Sequence, residues 1–141
     1  MNARTCKRNR LTGARGFTLM EVIVVVTMLA ILAAIAIPNY SEYIRRGHRS
    51  AAQAYLLDLA SRQVQFYLDR RVFTNDVAAL NLATPAEIAS RYNVAIVVNP
   101  GPPATFMITA TPTGSQTGDR CGALTIDQTG LRGAAVTTGC W

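Results

Sequence analysis

One histidine, three cysteines and no acidic residue before position 21 set the first limits on this chain of 141 residues. His48 stands alone, and no Cys, His or carboxylate cluster has metal-ligand spacing, so neither a metal centre nor a histidine-based catalytic site is expected. The sequence has no P-loop, no G-x-G-x-x-G and no nucleophile elbow. The chain is therefore not read as an enzyme, and no cofactor is expected. Charge is scarce, at 16% of residues, and it is unevenly placed. Arg4, Lys7, Arg8, Arg10 and Arg15 fall in the first sixteen residues with no acid among them. Setting these five aside leaves nine basic residues against eight acids, so the formal net charge of +6 shrinks to +1. On that balance a broad nucleic-acid-binding surface is not expected.

The chain does contain a long apolar run. Residues 17–37 carry a single charge, Glu21. As a helix this run spans about 30 Å, the thickness of a bilayer core. It exceeds the apolar stretch of a secretory signal, which runs about 7–15 residues. Ala34-Ile35-Ala36 fits a small-residue cleavage pattern, but Pro38 follows two residues later and makes a poor substrate. The run is thus read as an anchor that stays. A carboxylate at mid-bilayer costs about 2.5–3.5 kcal/mol, and less near the interface, so Glu21 calls for a compensating partner.

The five unopposed cations of the leader outweigh Arg45, Arg46 and Arg49, which have Glu42 beside them. The positive-inside rule then places the leader in the cytoplasm and the rest of the chain across the membrane. The far side of a bacterial inner membrane is oxidising, so a disulfide between Cys121 and Cys140 is expected, with Cys6 left on the other side. Closing a loop of that length stabilises by about 3 kcal/mol in the chain-entropy picture.

Gly16-Phe17-Thr18-Leu19-Met20-Glu21, set between a basic leader and an apolar helix, resembles the processing site of type IV pilins and the related pseudopilins. The resemblance implies cleavage after Gly16 by a prepilin peptidase and methylation of the new N-terminus at Phe17. Glu21 would become the fifth mature residue, where the family keeps its glutamate. Cleavage creates an amine at the membrane edge, and Glu21 of one subunit can pair with the amine of a neighbour. Pairing removes two desolvation penalties together and fixes axial register.

Downstream, Pro38 removes a helix hydrogen bond and crowds the preceding turn, so a kink is expected near 34–38, with helix resuming to about Asp69. In the family, the helix around this proline loosens on assembly. The second half of the helix is amphipathic. Leu57, Ala60, Val64, Tyr67 and Leu68 form one stripe; Ala52, Leu56, Leu59 and Phe66 form another, broken by Gln63. The arginines along the helix are expected to be solvated or near headgroups, with Arg45 and Arg49 as an interface anchor. A helical turn is expected at 85–90, capped by Thr84. Strands are read at 92–98, 106–111 and 123–127, with a short fourth at 131–134 and a polar loop at 113–120. The order predicts an α+β protein: one long helix, then an antiparallel sheet of 3–4 strands packed on it.

The C-terminal pattern adds to the resemblance. Ala110-Thr111-Pro112, Cys121-Gly122, Leu124-Thr125, Gly130, Arg132-Gly133-Ala134 and Cys140-Trp141 look like the E-type minor pilins, the PilE proteins. The organisation implied is a cleaved leader over 1–16, a membrane and assembly helix over 17–37, and a periplasmic domain over 38–141. The chain would sit in the inner membrane, N-terminus inside, and later in the extracellular pilus. The function implied is that of a minor pilus subunit that helps initiate the fibre and enters it. Its partners would be major and minor pilins, the prepilin peptidase and the inner-membrane assembly machinery, and nucleic acid is not expected among them. Two alternatives stay open: a DNA-binding or adhesive minor pilin, and a pseudopilin of a type II secretion system.

Overall fold

The computed structural model describes residues 16–136 and 138–141, without the side chains of residues 38 and 39. The basic leader up to residue 15, Cys6 included, lies outside the described residues. Two compact units divide at residue 38.

Helix α1 (Leu19–Arg70) runs for 52 residues. Thr18 stays outside it, and its Oγ1 accepts a hydrogen bond from the Glu21 backbone N–H at 3.2 Å. That bond satisfies one of the four donors a helix start leaves unpaired. In the first unit the apolar side chains from Phe17 to Ile37 are exposed throughout. Among the described residues this is the one helix long and apolar enough to cross a membrane, its most apolar 18 residues having a mean hydropathy of 2.7. The helix assignment continues through Pro38, which also marks the boundary of the units. At the far end Arg71 adopts a left-handed φ of 60°, and its N–H closes on the Tyr67 carbonyl at 2.8 Å.

In the second unit the last turns of α1 are followed by α2 (Ala86–Ala89), β1 (Tyr92–Asn99), β2 (Thr105–Pro112), β3 (Leu124–Asp127) and β4 (Arg132–Ala134). The sheet is an antiparallel meander in the order β1-β2-β3-β4. Strand periodicity sends alternate side chains to opposite faces. The register lines up Ile96, Ile108 and Ile126 across three strands, and Val94, Ala110, Leu124 and Ala134 across four. These rows meet Ala52, Tyr55, Leu56 and Leu59 of α1 in the core, closed by Leu80, Ile88, Tyr92 and Phe106.

Of the two stripes read on α1, the one through Ala52, Leu56 and Leu59 is buried, whereas Leu57, Val64 and Leu68 face outward. Gln63 does not break the buried stripe; it continues it, one turn past Leu59. Its Oε1 accepts from the Thr74 N–H at 3.2 Å, and its Nε2 donates to the Thr74 carbonyl. A fully satisfied amide is tolerated in a core because no polar atom is left without a partner. Thr84 does not cap α2 as expected. Its hydroxyl is engaged by the Tyr55 hydroxyl at 2.9 Å, and Pro85 occupies the cap position without a side-chain bond.

Candidate nucleic-acid interface

The segment between β2 and β3, a polar loop by its sequence, contains a 3₁₀ helix (Gly114–Gly118) and two buried polar side chains, Gln116 and Asp119. Both are held by α1. Arg49 donates from Nη1 to Asp119 Oδ1 at 2.5 Å, and both side chains are almost fully buried. Arg45, one turn earlier, donates to the Gly118 carbonyl at 3.3 Å. Gln116 Nε2 lies 3.0 Å from the Arg45 carbonyl, 2.9 Å from the Tyr92 hydroxyl and 3.1 Å from Asp119 Oδ2. Asp119 Oδ1 also accepts the Cys121 N–H at 3.1 Å. Burial pushes the Tyr92 phenol above its ordinary range, with the Gln116 bond opposing, so it stays neutral at physiological pH. The expected interface anchor is therefore corrected: Arg45 and Arg49 turn inward and clamp the loop, because Asp119 supplies a buried charge that must be paired.

Next to this clamp the C-terminal segment is fastened at three points. Cys121 and Cys140 form the expected disulfide, with Cα atoms 5.6 Å apart. Gln53 of α1 donates from Nε2 to the Cys140 carbonyl at 2.5 Å. Trp141 Nε1 donates to the Gly133 carbonyl of β4 at 2.7 Å. Gly122 permits the close approach: its φ is +58°, and a Cβ there would lie 2.8 Å from that of Ala135.

Cations remain on the outside of this arrangement. Arg132 opens β4, and its guanidinium lies over the Trp141 ring, 5.6 Å from the centroid. Arg120 is exposed, and its Nη2 would be 3.5 Å from a Cβ at Gly139. The two arginines thus approach the same C-terminal segment, at residues 139 and 141. Arg91 precedes β1 and donates to the Ser115 hydroxyl at 3.3 Å. Among the described residues no carboxylate lies within ion-pairing distance of these three; the ion pairs are Arg46–Glu42, Arg49–Asp119 and Arg62–Asp58. Asp127 is committed to its own turn. Its Oδ1 accepts from Thr129 Oγ1 at 2.6 Å, Thr129 N at 2.8 Å and Leu131 N at 3.0 Å. The Thr129 hydroxyl above all holds this carboxyl below its ordinary range.

The other residues singled out in the sequence lie apart from this cluster along the chain. Gly16 and Phe17 precede α1, and Phe17 is exposed; Glu21 sits in the first turn of α1, and Pro38 is within it. Sequence reading missed the Arg49–Asp119 pair and the Arg132–Trp141 stack. Their partners are 70 and 9 residues apart, and no periodic signal links them.

Residues 38–125 match the family model described as "Type IV minor pilin ComP, DNA uptake sequence receptor", and residues 11–37 match "Prokaryotic N-terminal methylation motif". The chain is similar to the type IV wide pilus major component PilA4 of Thermus thermophilus, at 39% identity over 48% of this chain and 51% of that protein. It is similar to the fimbrial protein EcpC of Eikenella corrodens, at 36% identity over 60% of this chain and 54% of that protein. A solved type IV pilin from Shewanella oneidensis superposes with a TM-score of 0.54 and 26% identity, covering 69% of this chain and 97% of that one. The chain spans about half the length of the curated relatives it matches. Those relatives include PilA, PilE and fimbrial proteins, so the likeness is to type IV pilins broadly rather than to the E-type group alone.

The first of these matches overturns one expectation. Nucleic acid was not expected as a partner, yet most of the second unit matches a model named for a DNA receptor. The near-zero net charge misled because a sum over the chain does not say where each charge sits. Asp119 and Arg49 neutralise each other inside the domain, and Asp127 turns into its own loop. Arg91, Arg120 and Arg132 are left without opposing acids.

Proposed function

We take the function from the family: this chain belongs to the type IV minor pilin family described as ComP, DNA uptake sequence receptor, and we propose that it is a minor pilus subunit that binds DNA. Type IV pilins are structural, non-catalytic subunits, so the proposed activity is recognition and not chemistry on the nucleic acid. The family match over residues 38–125 carries the reading. The unopposed guanidiniums of Arg91, Arg120 and Arg132 support it, since neutralising phosphates releases counterions and drives association.

The test is a titration of the processed chain, in nanodiscs, against a labelled DNA duplex over a range of salt concentrations. Binding should weaken steeply with salt. Alanine at Arg91, Arg120 and Arg132 together should lower affinity and reduce the log–log slope by about 0.9 per lost phosphate contact. Absence of binding, or binding insensitive to both salt and these substitutions, would remove the DNA reading.

The same proposal includes how the subunit reaches the fibre. The leader is cut after Gly16 on the cytoplasmic side, and Phe17 becomes the methylated N-terminus. The anchor crosses the inner membrane with the second unit outside, and Pro38 is where the helix bends or loosens. The methylation-motif match over residues 11–37 supports this course. Glu21 pairs with the amine of a neighbouring subunit, whether a major or a minor pilin. Glu21→Ala should leave the chain processed and in the membrane, with its entry into pili reduced severalfold in sheared-fibre immunoblots. Normal entry into fibres would end the pairing argument.

A further inference from the structure

The hairpin formed by β3 and β4 has features that plain phosphate binding does not require. It lies at one edge of the sheet, and among the described residues no strand lies beyond its far strand, β4. Its tip carries Leu131, with 70% of its surface exposed, next to Arg132. The only acid in the hairpin, Asp127, is tied by three hydrogen bonds into the turn and left free of Arg132. β3 is bonded to β2 on its other side, so the free part of the hairpin is its turn end with Leu131 and Arg132, and a two-stranded turn fits the major groove of duplex DNA.

Arg132 is the side chain best placed to read bases there. Stacking uses the face of a guanidinium and leaves its in-plane N–H fork free. The nearby Trp141 ring is restrained: its Nε1–H donates to the Gly133 carbonyl at 2.7 Å, and the next residue back, Cys140, is in the disulfide. Among the described residues no ring lies under Arg120, which is exposed and suits a phosphate contact.

Resting on the DNA-binding reading above, we infer that the β3–β4 hairpin enters the major groove. There Arg132 donates its paired N–H groups to the O6 and N7 acceptors of a guanine, and Trp141 is the positioning residue that holds it. The exposed Leu131 meets apolar base edges, such as a thymine methyl. The ligand is thus duplex DNA with a guanine in the contacted step, and the preference resides in one fork of one arginine.

The experiment is a competition titration of the processed full chain in nanodiscs against a library of short duplexes, giving affinity, salt slope and base preference together. Arg132→Lys keeps the charge but loses the fork. It should retain the salt slope while erasing a guanine preference worth about tenfold to a hundredfold in affinity. Arg120→Ala should do the reverse, with a shallower slope and the preference intact. Trp141→Phe keeps the apolar packing and loses the N–H anchor, and it should weaken the preference severalfold at an unchanged slope. Wild-type binding without any guanine preference, or a preference that survives Arg132→Lys, would overturn this inference and leave DNA binding standing. No binding by the wild-type chain at all would overturn both.

Discussion

Asp119→Ala is expected to destabilise the globular unit by about 3–5 kcal/mol, the range for removing one partner of a buried ion pair. Arg49 would be left almost fully buried with its charge unopposed. The Cys121 N–H would lose its acceptor, and Gln116 would lose one of the groups around its amide nitrogen. Domain stabilities lie at about 5–15 kcal/mol, so the loss takes a large share. Denaturant unfolding of the detergent-solubilised chain measures it. Arg49→Met with Asp119→Leu removes both charges at similar volume and should recover much of the loss, since a buried pair replaced by apolar groups is often close to neutral. Additive losses in the double variant would show that the two charges do not act as a pair.

The second large effect belongs to the disulfide. Replacing Cys121 and Cys140 by serine frees a loop with a sequence separation of 19 residues and should cost about 3 kcal/mol. The consequence reaches the proposed binding edge. Cys140 lies between Gly139, which Arg120 approaches, and Trp141, on which Arg132 rests. Untying it loosens the ring under Arg132 and the residue beside Arg120. DNA affinity should therefore fall with the double serine variant even at temperatures where the core remains folded. Unfolding curves and DNA titrations on the same preparation separate the two effects. Unchanged DNA affinity in a folded, disulfide-free chain would detach the binding edge from the disulfide.

Much of the fold is legible because its signals are local. The order of one long helix and an antiparallel meander follows from residues 17–37 and from the alternation in β1, β2 and β3. The strand limits fall within a residue or two of those read from the sequence. The disulfide follows from topology and compartment. Legibility fails where a polar residue is satisfied at long range. Gln63 looks like an interruption until Thr74 is seen to fill both halves of its amide. Arg45 and Arg49 look like headgroup anchors until the loop with Asp119 folds back onto them. The misjudged partner has the same origin. Counting charges along the chain treats Asp119 and Arg132 alike, but one is sealed in the interior and the other is held open on a tryptophan.

The proposed DNA site is the β3–β4 hairpin with its C-terminal strap and the neighbouring Arg120, and Arg91 lies before β1 at the other edge of the sheet. Hydrogen–deuterium exchange of the processed chain, with and without a saturating duplex, tests it most directly. Exchange should slow in 113–120 and 128–141, with the outer α1 surface around Arg62, Arg70 and Arg71 unchanged. Protection confined to that helix surface, or no protection anywhere, would contradict it.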